Sequence, residues 1–161
     1  MFNHNFLRSY DRLWGGTMKP GEIITDDKKI KNILDTSKTI AVLGLSPKPE
    51  RASNQVAGYL KAQGYRIIPI RPGEAEILGE KVYVSLDDVN GPIDIVDVFR
   101  NSDQVMAHAH EAIRLKPKVF WMQLYIENKE AAALLTEAGI DVVVNRCIKV
   151  EHGRLFDQNK I

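Results

Sequence analysis

Gly44, Ser46, Arg51 and Ser53 follow closely on one another after an apolar run over residues 39–43, and their types suit the binding of a phosphate. A glycine at the carboxyl end of a buried strand lets the backbone approach an anion, and free N–H groups at the start of the next helix stabilise it. Two hydroxyls and a guanidinium around that helix start add directed donors, the guanidinium matching two phosphate oxygens at once. The alternative is structural: Ser53 caps the helix while Arg51 and Lys48 are solvated charges. The loop from Gly44 to Asn54 holds a single glycine. It is therefore neither a GxGxxG turn nor a P-loop, both of which need more.

Arg71 and Pro72 end a second apolar run, 66–70, where an NAD-binding chain usually carries Asp or Glu for the ribose hydroxyls. A cation there favours a phosphorylated ribose; taken alone, Arg71 is a surface charge and Pro72-Gly73 a turn. Phe99 and Arg100 close the run 94–98. Phe99 is placed to meet an adenine or pantetheine group, and Arg100 to hold either a phosphate or a structural carboxylate such as Asp97. Trp121 and Gln123 stand at the end of the run 118–121, pointing toward the same crevice as an apolar wall and an amide. Core closure for Trp121 and a loop tie for Gln123 are the plainer roles.

Other reactive side chains are sparse. His108 and His110 are two apart on an expected helix and cannot share a face, which argues against a common metal. No Ser/His/Asp set or carboxylate pair stands out. Cys147 is the single cysteine, lying between Arg146 and Lys149, two cations that favour a thiolate and thiol exchange. A lone cysteine more often packs as a small hydrophobe.

The elements that must position these residues alternate. Strands are expected at 39–43, 66–70, 82–84, 94–98, 118–121 and 141–144, with helices at 53–63, 102–115 and 128–138. A further helix starts at Thr25 or Asp26 and carries Ile30, Ile33 and Leu34 at helical spacing. Glycines at 64 and 139 end two of the helices. Apolar strands separated by amphipathic helices make an α/β domain: a mainly parallel sheet of about five to six strands, doubly wound with helices on both faces.

The chain has 161 residues, enough for one core, here assigned to 18–161. Residues 1–17 read as an appendage without a period, with Met18 an alternative start. The balance of 22 basic against 21 acidic side chains gives no bias toward nucleic acid or membrane, so an anion site has to be local. One cysteine excludes an intrachain disulfide and suits a reducing cytoplasm. No apolar run is long enough to span a bilayer, and no signal-type apolar region opens the chain.

Taken in order, several segments resemble the small bacterial and archaeal CoA-binding proteins, whose Rossmann-like domain is similar to that of the succinyl-CoA synthetase alpha subunit. They are Ala41-Val42-Leu43-Gly44-Leu45-Ser46-Pro47, Gly64-Tyr65-Arg66-Ile67-Ile68-Pro69-Ile70 with Pro72, and Ile77-Leu78-Gly79-Glu80-Lys81-Val82-Tyr83. Asp94-Ile95-Val96-Asp97-Val98-Phe99-Arg100, Trp121-Met122-Gln123 and Asn145-Arg146-Cys147-Ile148 complete the set, which covers about residues 25–155. The resemblance implies CoA phosphates and ribose around Gly44, Ser46, Arg51 and Ser53, with Arg71 and Pro72 flanking the adenosine and Phe99 and Arg100 lining the groove. One departure is Arg71, where the family commonly has Asn; the arginine either binds a ribose phosphate or shields the site by pairing with Glu74 or Glu76.

The family's larger relatives do thioester chemistry with further domains for which this chain has no room. The resemblance therefore implies a non-catalytic carrier or regulator of CoA or acyl-CoA, with a protein partner or a second copy as an open question. An NADP-dependent oxidoreductase, with Arg71 on the 2′-phosphate, and an interaction subunit of an acyl-CoA ligase or acyltransferase are the alternatives.

Overall fold

Asp26 caps the first helix by accepting from the backbone N–H groups of Lys28 and Lys29 at 2.8 and 3.1 Å. That helix, α1 (Asp27–Thr36), opens the regular structure of the computed structural model, which describes residues 19–157. The expected appendage at 1–17 lies outside the described residues. The order then runs β1 (Thr39–Leu43), α2 (Ala52–Ala62), β2 (Arg66–Ile70), β3 (Glu76–Ile77), β4 (Glu80–Lys81), β5 (Ile95–Val98) and α3 (Val105–Leu115). It ends with β6 (Val119–Met122), α4 (Lys129–Glu137), β7 (Asp141–Val143) and α5 (Ile148–Phe156).

Five strands form one parallel sheet in the order β2-β1-β5-β6-β7. Strand side chains alternate between faces. Ala41, Leu43, Val96, Val98, Phe120 and Met122 pack with α3 and α4, while Ile40, Val42, Ile95, Trp121 and Val143 pack with α1, α2 and α5. The α/β, Rossmann-like, doubly wound class expected from the apolar runs is the one observed. Because the chain leaves β1 for β2 on one side and later enters β5 on the other, the boundary between β1 and β5 is the switch point where such sheets bind ligands.

Several elements differ from the sequence reading. The strand expected at 82–84 shrinks to one bridge, in which Tyr83 donates to Pro69 O at 3.0 Å and accepts from Arg71 N at 2.9 Å. The small antiparallel pair β3 and β4 precedes it. The helix expected at 102–115 begins as a 3-10 turn, Ser102–Gln104, before α3.

The largest omission is α5. Its buried positions are Ile148, Glu151, His152 and Leu155, a helical period in which two of four positions are polar. A search for apolar periodicity passes over it. Those polar groups are satisfied: Glu151 accepts from Arg154 at 2.6 Å and Arg146 at 3.4 Å, and His152 Nδ1 lies 2.8 Å from Tyr59 Oη on α2.

Candidate functional site

The turn after β1 is built on Gly44, which has φ +79° and donates its N–H to Ile70 O at 2.9 Å. A Cβ at this residue would lie 2.6 Å from the carbonyl oxygen of Phe99 and 3.2 Å from Arg100 Cδ and Nε. Only glycine lets the ends of β1 and β5 approach so closely. Beyond it the loop folds on its own hydroxyls. Ser53 Oγ accepts from Ser46 N at 3.0 Å, Ser46 Oγ accepts from Lys48 N at 3.2 Å, and Asn54 Nδ2 donates to Ser46 O at 2.9 Å.

Ser53 therefore does not cap α2, which starts at Ala52 with Arg51 in the cap position and no side-chain cap. The first N–H groups of α2 are left for an anion, and the helix dipole favours one there. Around this end lies a groove of about 540 Å³, within the roughly 300–1,000 Å³ typical of a ligand site. Gly44, Ser46, Pro47, Lys48, Arg51, Ala52, Ser53, Arg71, Glu74 and Phe99 line it.

Six of the expected site residues thus come together: Gly44, Ser46, Arg51, Ser53, Arg71 and Phe99. The rest are placed otherwise. Pro72 is exposed beside the groove and does not line it. Arg100 sits behind Gly44, with its Nε buried and without a hydrogen-bond partner. Trp121, expected as a wall, is fully buried and donates Nε1–H to Arg146 O at 2.7 Å, so it closes the core. Gln123 is 3 % exposed, and its Nε2 donates to Asp97 Oδ1 at 2.5 Å. Asp97 is thus bonded to Gln123, and the carboxylate alternative for Arg100 is not formed with Asp97 among the described residues.

Cys147 stands at the cap of α5 and packs partly buried on the α1/α2/α5 side of the sheet. Its flanking cations are engaged elsewhere: Arg146 with Glu151 at 3.4 Å, and Lys149 over the Tyr59 ring at 5.5 Å. Nor is Arg71 shielded in the way the sequence allowed. Its Nη1 reaches Leu45 O at 3.4 Å and its Nε reaches Pro72 O at 3.4 Å. Among the described residues no carboxylate pairs with Lys48, Arg51, Arg71 or Arg100. Cations without carboxylate partners around an uncapped helix start make this end of the groove locally cationic in a chain of nearly balanced charge.

Two polar groups lie off the groove. Burial pushes the Asp97 carboxyl up to about 7, against the opposing hydrogen bond from Gln123. On the other face, burial lowers His108, with Glu111 at 3.5 Å opposing and Arg100 reinforcing. The histidines at 108 and 110 share no metal cluster, and none of His, Cys, Asp and Glu forms one among the described residues. Lys48, weighed from the sequence only as a solvated charge, Glu74, weighed only as a partner for Arg71, and Pro47 and Ala52, given no contact, also line the groove. The sequence reading treated Asp97 only as a partner for Arg100, although an acidic residue inside an otherwise apolar strand was a visible signal.

The sequence profile of the CoA binding domain family matches residues 38–153, which takes in the groove and the whole parallel sheet. The chain belongs to the CoA-binding domain family. The uncharacterized protein YneT of Bacillus subtilis (strain 168) is 46% identical over 124 residues, covering 77% of this chain and 92% of that one. A solved structure from Thermus thermophilus, the protein called cell-free ID.343, matches with a TM-score of 0.79 and 44% identity, over 82% of this chain and 100% of that one. A hypothetical protein from Pyrococcus horikoshii OT3 matches with a TM-score of 0.79 and 41% identity, over 81% of this chain and 92% of that one. No helix of this CoA-binding domain protein is long and apolar enough to cross a membrane among the described residues.

Proposed function

We propose that this protein binds coenzyme A or an acyl-CoA in the groove between the β1 turn and α2, as a cytoplasmic carrier or regulatory module that is non-catalytic on its own. The observation that carries the reading is the uncapped start of α2 ringed by Lys48, Arg51 and Arg71, none with a carboxylate partner among the described residues. Phosphates of CoA carry the complementary charge. The backbone N–H groups of the helix start take one phosphate, and the guanidiniums of Arg51 and Arg71 take the others as bidentate donors. Phe99 offers an aromatic face at the same groove. The groups with perturbed acidity, Asp97, His108 and His152 among them, all lie outside the groove lining, which favours binding over acid-base chemistry.

Isothermal titration with CoA, dephospho-CoA, NADP and NAD in one buffer tests the reading. Saturable binding of CoA that weakens for dephospho-CoA is the expected result and assigns a cation to the 3′-phosphate. Binding of NADP alone overturns it in favour of an oxidoreductase. Binding of none of the four leaves an interaction subunit.

A further inference from the structure

We infer that Asp97 is a positioning residue that fixes the Gln123 side chain so that its carbonyl oxygen, Oε1, accepts a hydrogen bond from an amide N–H on the ligand's arm. This rests on the CoA reading and deepens it. Gln123 follows β6 in the register that puts Met122 beside Val98, and its backbone N–H reaches Val98 O at 3.4 Å. It therefore sits next to Phe99, which lines the groove. Alternation puts Asp97, Phe99, Trp121 and Gln123 on one face of the sheet. Gln123 thus extends the row of strand ends that starts at Gly44 and Phe99.

A glutamine amide has one end that donates and one that accepts. Asp97 decides which end faces where. Its Oδ1 accepts, so the NH2 end of Gln123 turns inward to it, at 2.5 Å. Both side chains are locked by burial, Asp97 at 0% exposure and Gln123 at 3%. Among the described residues no donor reaches Gln123 Oε1, and Asp97 Oδ2 is itself buried without a partner. A buried carboxyl with one idle oxygen is costly, and a purely structural glutamine tie does not require it.

An isolated acceptor selects a donor. The phosphates of CoA offer only acceptors at neutral pH and are matched by the cations and helix start at the other end of the groove. The pantetheine arm carries secondary amides, whose N–H groups are the donors that Oε1 lacks. The pair therefore reads the arm, and with it the direction in which the ligand lies.

The test is isothermal titration of the full chain and its variants with CoA and with adenosine 3′,5′-bisphosphate, which keeps the phosphates and lacks the arm. Gln123→Leu is expected to weaken CoA by about three- to tenfold, the worth of one neutral hydrogen bond, and to leave the bisphosphate within about twofold. Asp97→Leu is expected to do the same, while Asp97→Asn, which keeps an acceptor toward Gln123, retains CoA binding. If Gln123→Leu does not fold beside a buried carboxyl, the double variant Asp97→Asn/Gln123→Leu supplies the same comparison. Equal losses for both ligands, or no loss for CoA, overturn the assignment. Wild-type protein that binds neither ligand overturns the CoA reading and this assignment with it.

Discussion

Replacing Gly44 by alanine separates two physical costs that the turn after β1 combines. The residue has φ +79°, a conformation that costs an L-residue about 1–2 kcal/mol. The added Cβ also meets the carbonyl oxygen of Phe99 at 2.6 Å, a backbone atom that moves only if β5 moves. Overpacking of this kind costs about 1–3 kcal/mol. The expected loss is the sum, about 2–5 kcal/mol. With a mid-range urea m-value of about 2 kcal/mol/M, the unfolding midpoint falls by roughly 1–2.5 M.

Two other glycines serve as internal standards. Gly73 has φ +88° but no atom within 4 Å of an added Cβ, so Gly73→Ala carries only the conformational cost, about 1–2 kcal/mol. Gly58 lies inside α2 with open space around it, and Gly58→Ala gains up to about 1 kcal/mol of helix propensity. Urea unfolding followed by circular dichroism ranks the three variants. Because the clash pushes the β1 turn off the start of α2, Gly44→Ala that still folds is also expected to lose CoA affinity. A Gly44→Ala midpoint equal to that of Gly73→Ala removes the clash with Phe99 from the account, and one equal to wild type refutes the turn itself.

Arg51→Ala is expected to weaken CoA by about 1–3 kcal/mol, the range for a charge-assisted contact, in a titration that detects roughly five- to hundredfold changes; unchanged affinity removes Arg51 from the site. Asp97 binds its proton up to about pH 7 when folded, and in the unfolded chain releases it near the ordinary carboxylate value of about 4. The folded state therefore holds more protons between these values, and the stability tied to Asp97 is lost as pH rises through that window. Asp97→Asn should flatten this slope and leave the variant the more stable protein at pH 8; parallel pH profiles would show that Asp97 does not titrate late. Cys147 packs against the α5 side with its cationic neighbours engaged elsewhere, so intact-mass analysis after incubation with CoA disulfide is expected to show no adduct. A CoA-sized mass gain that disappears in Cys147→Ser would restore thiol exchange.

The strands were legible because each is a short, nearly unbroken apolar run, which is what burial on both faces of a parallel sheet demands. The site was legible where it depends on backbone position. Gly44, Arg71 and Phe99 all follow strand ends, and in a parallel sheet those ends share one edge. What the sequence could not reveal is which way a side chain turns once it reaches that edge. Trp121 and Gln123 are at strand ends too, yet one donates inward to Arg146 O and the other to Asp97. Ser53 has the composition of a helix cap and instead accepts from Ser46 N, because α2 begins a residue before it.

The same distinction explains α5. Its core-facing positions include Glu151 and His152, and these are tolerable only because Arg154, Arg146 and Tyr59 converge on them from their own turn, from the preceding loop and from α2. Burial of a polar group without such partners costs on the order of what a buried apolar side chain recovers, so it would offset much of the gain from Ile148 and Leu155. No local pattern announces those partners, since Tyr59 and His152 lie 93 positions apart. The order of dependence for His152 is therefore from tertiary contact to helix: its buried ring finds its partner only with α2 in place. Since α2 also presents the uncapped helix start to the groove, its two ends carry separate duties, and a substitution at Tyr59 should disturb α5 while leaving the anion site at Arg51 intact.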